Sequence, residues 1–406
     1  MTRVAGIIVN LVPYHHARWE AFTRSSGTEC HLLELTDRDA FKVLEFTATA
    51  SYRRHTLFPG DRGATISATA LLRAMAAKLD VLQPDVVCTS GWALPVSLAA
   101  LAWAARKRVP AVMLSESNEY DEVRSGVKEF VKRRIVALCS TGLAGGAPQA
   151  DYLAKLGLRR ERIFLGYDVV DNRYFADKAA EARGQKSEVR RKFGLPENYF
   201  LACCRFGQKK NVPRLIEAFA RYRRLAEKSE IRNPKSEMWD LVIAGDGELR
   251  PEIEAAIARF GVSQSVHLAG AKSYSEIPAC YALAGAFIHA STTEPWGLVV
   301  NEAMASGLPV LVSNRCGCAT DLVQDGVNGF TFDPYNVEEM AQLMFKTSAF
   351  NFPLSAFGSE SQRIISNWGP DRFATGLKQA AECALRVGPI KPTLLQRMIL
   401  KALFWK

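Results

Sequence analysis

Two glutamates eight positions apart carry the first chemical signal in the chain. Glu294 lies in a polar turn that Pro295 and Gly297 punctuate, and Glu302 falls in the segment after it. An apolar run before the turn predicts a buried strand, and Leu298–Ala305 predicts a helix. Ligands of open α/β sheets bind beyond the carboxyl ends of the strands, and a helix start offers N–H groups and a positive dipole end to a phosphate. We therefore predict a ligand site at this turn.

A glycine-containing turn follows another predicted strand. Residues 239–244 form an apolar run, and Gly245 and Gly247 come directly after it. Glycines at such a turn let a backbone approach a phosphate or a ribose closely. A single Gly-x-Gly is often only a tight turn, so its position after a strand and ahead of the glutamate pair is what makes it a candidate.

Polar side chains also end a predicted strand near the start of the chain. Residues 4–12 form a β-branched run, and Tyr14, His15 and His16 follow in a loop that leads to a helix beginning near Ala17. At the carboxyl end of a strand, these three side chains are candidate substrate contacts. The alternative is that they only pack the loop.

The elements that would position these residues alternate along the chain. Short apolar runs at residues 85–88 and 111–114 alternate with helical runs at 64–79 and 95–106, and the alternation returns after Tyr199. This is the βαβ pattern of a parallel, doubly wound sheet. A chain of 406 residues is long enough for two such domains.

Composition and charge indicate a folded protein with an anionic partner. Hydrophobic residues make up 48% of the chain and charged residues 23%, which is typical of a soluble globular protein. The net charge of +10 favours a nucleotide diphosphate or an acidic membrane surface as partner, and no nucleic-acid motif is present. Nine irregularly spaced cysteines predict reduced thiols in a cytoplasmic protein. No secretion signal or membrane span is predicted.

The central stretch belongs to a longer ordered set of motifs. The spacing of Glu294 and Glu302, the Trp296-Gly297-Leu298 run between them and the order of motifs from about residue 201 to 332 resemble the retaining glycosyltransferases of sequence family four, of the group 1 type. The resemblance implies the α/β GT-B fold, in which two Rossmann-like doubly wound domains face each other across a cleft.

The resemblance also implies the domain organisation. We expect an acceptor-binding domain at residues 1–172 and a nucleotide-sugar-binding domain at 173–370. A helix at 371–388 would cross back to the first domain, and residues 389–406 would form a basic amphipathic tail.

By this resemblance, Arg205 and Lys210 hold the diphosphate of the donor. Both follow the predicted strand Tyr199–Cys203. The leaving group gains negative charge as the sugar–phosphate bond breaks, and fixed cations stabilise that charge. Lys209 is an adjacent competitor for the role of Lys210, and a solvated surface position is the alternative for these cations.

The resemblance assigns roles to the central turn as well. Glu302 would hold the ribose hydroxyls, while Glu294 and the backbone of Pro295-Trp296-Gly297-Leu298 would hold the hexose hydroxyls and the phosphates. Transfer would retain the anomeric configuration without a metal, and the nucleotide-diphosphate sugar is a co-substrate, so no cofactor is expected. The Asp-x-Asp formed by Asp37 and Asp39 lacks a strand-end context and is predicted to be a surface turn.

Glu116 departs from the family pattern. Many members carry a His near this place, close to the transferring sugar, whereas the sequence here reads Ser115-Glu116-Ser117. A carboxylate near a sugar accepts hydroxyl hydrogen bonds or assists proton transfer, so Glu116 is a candidate acceptor-site residue. The alternative is a loop that leads to a helix capped at Asn118.

The tail at residues 392–406 differs in character from the rest of the chain. Apolar residues at near-helical spacing alternate with Arg397, Lys401 and Lys406, which predicts a basic amphipathic helix with Trp405 near its end. Such a helix suits peripheral contact with the acidic inner face of the plasma membrane, where lipid-linked acceptors are found. The alternative is a helix packed on the domain surface.

These expectations combine into a retaining glycosyltransferase of the hexosyltransferase class. It would move a sugar from a nucleotide-diphosphate sugar to a glycan or lipid-linked acceptor, in the synthesis of a bacterial surface polysaccharide. A nucleotide-sugar epimerase on the same fold and a catalytically silent nucleotide- or glycan-binding subunit are the alternatives. A dehydrogenase is disfavoured, because no predicted strand is followed by Gly-x-Gly-x-x-Gly and an acidic residue about 20 positions later. The sugar, the base, the acceptor and the oligomeric state stay open.

Overall fold

The computed structural model describes residues 1–37, 49–60, 66–228 and 238–404. The chain divides into two compact units. Unit 1 comprises Met1–Val170 and Gly369–Lys406, and unit 2 comprises Asp171–Trp368.

Unit 1 is built on a seven-stranded sheet whose described strands pair in parallel. The strands are β1 (Arg3–Ile8), β2 (Glu29–Glu34), β3 (Arg53–Thr56), β4 (Val86–Ser90), β5 (Ala111–Ser115), β6 (Thr141–Ala144) and β7 (Ile163–Leu165). Their order in the sheet is β3-β2-β1-β4-β5-β6-β7, so the chain winds outward in both directions from β1 and β4. The connecting helices are α1 (Pro13–Ser26), α2 (Ala68–Leu82), α3 (Pro95–Lys107), α4 (Gly126–Val136) and α5 (Ala147–Lys155).

Unit 2 repeats this plan with a six-stranded parallel sheet. Its strands are β8 (Tyr199–Cys203), β9 (Asp240–Ala244), β10 (Val266–Gly270), β11 (Ala286–His289), β12 (Val310–Ser313) and β13 (Gly329–Phe332), in the order β10-β9-β8-β11-β12-β13. Its helices are α6 (Asn172–Gly184), α7 (Lys186–Phe193), α8 (Val212–Lys228), α9 (Arg250–Phe260), α10 (Ile277–Leu283), α11 (Leu298–Ala305), α12 (Ala319–Leu322), α13 (Val337–Thr347) and α14 (Leu354–Ile365). The predicted doubly wound α/β class is therefore confirmed for both units.

The apolar composition of the strands explains why these sheets are parallel and covered on both faces. All five residues of β5 are buried, and so are all four residues of β11. Strands that bury both faces carry continuous apolar runs, and helices on each face supply the cover. Each unit has its own hydrophobic clusters. The residues at the strand ends of a unit are therefore held in place by the core of that unit.

The end of the chain returns to unit 1. Helix α15 (Pro370–Val387) packs against α1, where the ring of Phe373 lies edge-on to that of Trp19 at 5.6 Å. A methyl group on Gly376 would lie 2.4 Å from the carbonyl oxygen of Leu165, so α15 approaches the chain after β7 closely. Helix α16 (Leu394–Phe404) follows. Both of these helices belong to unit 1.

The predicted boundaries lie beside the observed ones. Unit 2 begins at Asp171, two residues before the predicted boundary, and ends at Trp368, two residues before the predicted end of that domain. None of the described helices is both long and apolar enough to cross a bilayer.

Candidate functional site

A half-buried ion pair joins Lys210 to Glu294 at the carboxyl end of the sheet of unit 2. Glu294 lies in the turn between β11 and α11, and the Nζ atom of Lys210 contacts its Oε2 atom. Their side chains are only 25% and 15% exposed. Burial works to raise the pKa of Glu294, but the hydrogen bond from His289 and the charge of Lys210 outweigh it and lower the pKa to about 2. Glu294 is thus held ionised beside a cation.

His289 and Ser291 complete this cluster, and the sequence analysis did not predict them. The Nε2 atom of His289 lies 3.2 Å from the Oε2 atom of Glu294 and 3.1 Å from the Oγ atom of Ser291. The hydroxyl of Ser291 also donates to Glu294 at 3.3 Å. Burial lowers the pKa of His289, so its ring is neutral at pH 7. A histidine at the last position of an otherwise apolar strand was the available signal.

Lys209 and Lys210 have different environments. Lys210 faces Glu294, whereas the backbone carbonyl of Lys209 accepts a hydrogen bond from the N–H of Thr292 at 2.8 Å. The short segment Gln208–Lys210 is thereby fastened to the turn that carries Glu294. The structure therefore brings the side chain of Lys210 against the central glutamate.

Arg205 stands at the exposed side of the same strand end. Its side chain is 59% exposed, and its guanidinium lies 3.4 Å from the carboxylate of Glu248 in the glycine turn. An exposed ion pair of this kind contributes little to stability. Arg205 is accordingly placed to exchange this partner for another anion.

The glycine turn lies directly against the chain that carries Arg205. A Cβ atom on Gly245 would meet the carbonyl oxygen of Cys204 at 1.8 Å, and one on Gly247 would meet that of Phe206 at 2.7 Å. Only glycine permits this approach of two backbones. Both predicted glycines are therefore required by the local packing, whatever ligand binds there.

Glu302 occupies the second turn of α11 and lacks a cation contact among the described ion pairs. The hydroxyl of Tyr281 donates to its Oε2 atom at 2.8 Å. Burial raises the pKa of Glu302 to about 7, and this hydrogen bond opposes the rise only in part. The two glutamates of the motif thus have opposite electrostatic environments.

The four-residue run after Glu294 forms the start of α11. Gly297 precedes the helix with a φ of 104°, a left-handed conformation that favours glycine. The side chain of Trp296 is 1% exposed, packs on Trp368 with ring centroids 5.3 Å apart, and donates to Asn301. Trp296 can therefore offer a ligand only its backbone, and Leu298, which is half-buried, begins the helix. Pro295 lies in the same turn.

Tyr14, His15 and His16 lie in a helix and not in the predicted loop. Helix α1 begins at Pro13, four residues earlier than expected, because proline at the first helical position has a suitable φ and leaves no donor unsatisfied. His15 Nδ1 lies 3.0 Å from the carbonyl of Asn10, and His16 Nδ1 lies 2.9 Å from the hydroxyl of Tyr52.

Arg18, on the same helix, is part of a second buried cluster that the sequence analysis missed. Its guanidinium lies between the rings of Tyr14 and Tyr167, at 5.0 and 4.9 Å from their centroids. It also lies 3.5 Å from the carboxylate of Asp168, and both side chains are at most 2% exposed. Burial and the charge of Glu116 raise the pKa of Asp168, and the charge of Arg18 opposes them. A polar Tyr-Asp pair directly after a strand was the available signal.

Glu116 lies just beyond β5 and is exposed. Its charge acts on Asp168 and on Tyr167, whose pKa values burial and Glu116 both raise. The alternative prediction, a helix cap at Asn118, is wrong. Asn118 accepts from the N–H of Tyr120, and Ser125 caps α4.

The remaining predicted features concern metals and thiols. Within the described residues, no group of three or more His, Cys, Asp or Glu side chains is arranged to hold a metal ion. Asp37 accepts a hydrogen bond from the N–H of Gly60, and Asp39 lies outside the described residues. The nine cysteines are free thiols, with Cys316 and Cys318 buried beside the central turn.

The fold of the chain is similar to that of known structures. The chain superposes on Anabaena HepE in complex with UDP with a TM-score of 0.69 and 19% identity, over 93% of this chain and 98% of that one. It superposes on sucrose-phosphate synthase from Thermosynechococcus elongatus with a TM-score of 0.70 and 16% identity, over 93% and 98%. The predicted GT-B fold is therefore confirmed.

The family follows from the sequence of unit 2. Residues 185–347 match the family Glycosyl transferases group 1, so the predicted group 1 type is confirmed for this part of the chain. Mannosylfructose-phosphate synthase of Agrobacterium fabrum is 26% identical over 278 residues, 65% of this chain and 58% of that protein. Alpha-D-kanosaminyltransferase of Streptomyces kanamyceticus is 31% identical over 189 residues, 46% of this chain and 45% of that protein. The chain thus spans about half the length of these relatives.

Proposed function

We propose that this protein is a retaining glycosyltransferase that moves a sugar from a nucleotide-diphosphate sugar to a glycan or lipid-linked acceptor. The observation that carries the proposal is the half-buried pair of Lys210 and Glu294, with Glu302 on the next helix and the glycine turn beside it. All of these residues lie inside the segment that matches the group 1 family. We assign the activity to the synthesis of a bacterial surface polysaccharide.

The site residues suit the binding of a donor in unit 2. Arg205 and Lys210 supply positive charge for the diphosphate, and Glu302 supplies carboxylate oxygens for the ribose hydroxyls. Glu294 and the backbone at the start of α11 then contact the hexose and the phosphates. The neighbour from Anabaena was crystallised with UDP-glucose, and this supports testing UDP-sugars first.

The proposed reaction uses the positive charges of Lys210 and Arg205. The bond between the anomeric carbon and the phosphate oxygen breaks, and its electron pair stays on the diphosphate beside Lys210 and Arg205. The acceptor hydroxyl forms the new bond on the same face, and its proton passes to the departing phosphate oxygen. No metal has a step in this scheme, because the two cations stabilise the leaving group.

The acceptor side of the proposal rests on unit 1. Tyr14, His15, His16 and Glu116 stay candidates, and the nearby Arg18–Asp168 pair is added to them. We further propose that the enzyme works in the cytoplasm at the inner face of the membrane, through contact of residues 392–406 with acidic lipid. Helix α16 buries Leu400 and Phe404 in unit 1 but leaves Leu394 and Met398 exposed at 76% and 60%. One face of the helix can therefore pack on unit 1 while the other contacts the membrane.

A ligand-induced stability shift tests the donor site. A ligand that binds only the folded state raises stability by about 2.7 kcal/mol at one hundred times its Kd. We expect a higher melting midpoint with one member of a panel of UDP-, GDP-, ADP- and dTDP-sugars, measured without metal. Glu302→Ala should lose this shift, and the control Glu252→Ala, on the exposed side of α9, should keep it.

The outcomes separate the alternatives. Absence of a shift with every donor, in folded protein, would reject the donor site and favour a silent subunit. A shift accompanied by inversion of a hydroxyl configuration in the donor, with no acceptor present, would favour the epimerase. A shift with transfer to an added acceptor and a retained anomeric configuration supports the proposal.

A further inference from the structure

A cavity of about 580 Å³ lies in unit 1 between α2, α3 and the tail helix α16. Ligand pockets commonly have volumes of about 300 to 1,000 Å³, so it has the size of a ligand site. Helix α3 begins beyond the carboxyl end of β4 and ends just before β5. The cavity lies at the last turn of α3, and therefore at the amino ends of the strands, the opposite end of the sheet from Glu116 and Asp168.

The wall of the cavity is strongly basic. Five cationic side chains line it: Arg106, Arg108, Lys391, Arg397 and Lys401. None of the described residues that line it is acidic. The neighbouring Lys107 shows the contrast, because it pairs with Asp80 at 2.8 Å. Among the described ion pairs none involves the five lining cations, although the charge of Arg106 also acts on the carboxylate of Asp80.

The floor of the cavity is apolar. Leu72 and Ala105 contribute from α2 and α3, and Leu400 and Phe404 from α16. The last two are 6% and 9% exposed and belong to the core of unit 1. Leu394 and Met398 add exposed apolar surface on the outer side of the same helix. A free anion would satisfy the cations and leave the side chains of Leu394 and Met398 in water.

We propose that this cavity binds an anionic phospholipid of the membrane. The phosphate lies among the five cations, the glycerol and the first acyl carbons cover the apolar floor, and Leu394 and Met398 enter the lipid interface. Basic pockets and polybasic amphipathic helices recognise acidic lipids by this combination of charge and hydrocarbon. The inference rests on the membrane contact in the proposed function and deepens it, because it names a discrete lipid site that includes α3.

Sedimentation of the full chain with vesicles tests the site. We expect binding to phosphatidylcholine vesicles that contain phosphatidylglycerol and little binding to phosphatidylcholine alone. Arg106→Glu/Arg108→Glu reverses two cations of the cavity outside the tail and should weaken binding by about tenfold or more. The control Arg173→Glu/Arg191→Glu makes the same change in net charge on exposed arginines of unit 2 and should weaken it less than twofold.

A second variant separates the cavity from a diffuse charged surface. Ala105→Trp fills the floor without changing the charge, and it should also weaken binding severalfold while the melting midpoint stays near that of the natural protein. Equal losses in the control pair and the cavity pair, or unchanged binding of Ala105→Trp, would overturn the lipid site. Displacement from vesicles by inorganic phosphate at the concentration of the lipid would overturn it in favour of a free-anion site.

The stability shift with the nucleotide sugar distinguishes failure of the lipid site from failure of the donor site. The cavity variants should retain the stability shift with the nucleotide sugar, because that site lies in unit 2. Loss of vesicle binding with an intact donor shift supports the lipid site. An intact donor shift with no vesicle binding by the natural protein rejects the lipid site and leaves the donor site standing.

Discussion

Units 1 and 2 both place a carboxylate that is largely shielded from water beyond the carboxyl end of a parallel strand, yet its ionisation is shifted in opposite directions. In unit 2, burial would raise the pKa of Glu294, but His289 and contact with Lys210 lower it to about 2. In unit 1, burial and Glu116 raise the pKa of Asp168, and Arg18 at 3.5 Å opposes them only in part. Lys210 and His289 together outweigh burial at Glu294, whereas Arg18 does not outweigh burial and the charge of Glu116 at Asp168.

The difference fits a division of chemistry between the units. A fixed ion pair suits a site where the charge of a diphosphate must be matched without reorganisation. A carboxylic acid that resists ionisation suits hydrogen bonds to hydroxyl groups or movement of a proton. We therefore expect variants of the two clusters to fail in different assays.

Lys210→Met should have the largest effect. Removal of one fixed group that stabilises developing charge typically costs about 100- to 1,000-fold in rate, and we expect a loss of this size in kcat/KM with the donor found by the stability panel. Lys209→Met is the matched control and should lose less than tenfold, since the substitution keeps the backbone carbonyl that holds Thr292 in the Glu294 turn. Similar losses in both variants would contradict the role of Lys210.

Arg18→Met should break the cluster of unit 1. The variant removes the partner of Asp168 and the hydrogen bond from Arg18 to the carbonyl of Val169, which should lower the free energy of unfolding by about 3 kcal/mol, to be measured by urea denaturation. The double variant Arg18→Met/Asp168→Asn should lose about as much, because an acid that already resists ionisation has little charge for the second substitution to remove. The donor-induced shift should survive in both variants. An unchanged unfolding midpoint in Arg18→Met would show that the pair has no structural role.

Glu302→Gln tests how burial of an acid affects the pH dependence of stability in unit 2. The folded pKa of about 7 lies above the ordinary 4.5, so the folded protein binds the proton more tightly and loses stability as the pH rises from 4.5 through 7. At about 1.4 kcal/mol per pKa unit, this loss is roughly 3 kcal/mol. The Gln variant should lack this fall when unfolding is measured at pH 5 and pH 8. The same fall in the variant would assign it to other groups.

His289→Phe should have the smallest effect. The ring keeps its packing on Phe287 but loses the contact with Glu294. One lost hydrogen bond to a charged group corresponds to about a tenfold loss in kcat/KM. The acid limb of the rate–pH profile should move to higher pH, because the pKa of Glu294 rises. The control His267→Phe, which lies at the surface pair with Asp240, should leave the profile unchanged.

Local patterns in the sequence predicted those features that depend on neighbours in the chain. The strand before Glu294 and the helix from Leu298 follow from apolar runs and a glycine turn, and the structure has both at the expected positions. The polar run Tyr14-His15-His16 is typical of a loop and predicts a helix that starts near Ala17, but Pro13 favours the first turn of a helix, and α1 begins there.

Contacts between distant residues had no such pattern. Arg18 and Asp168 are separated by more than a hundred positions, and only the winding of the sheet brings α1 beside the end of β7. A histidine in an apolar strand is more often part of the core, so the sequence alone does not identify His289 as a site residue. The choice between Lys209 and Lys210 required the hydrogen bond from Thr292, which no property of two adjacent lysines reveals.

The return of α15 to unit 1 has a consequence for synthesis on the ribosome. Phe373 and Leu377 are fully buried in the core of unit 1, yet they leave the ribosome only after the whole of unit 2. The two ends of unit 2 are joined to each other, since Asn172 donates to the carbonyl of Ile365 at 2.7 Å. Unit 2 therefore has all of its own chain before unit 1 is complete, and part of one face of the sheet of unit 1 stays uncovered until α15 has been synthesised.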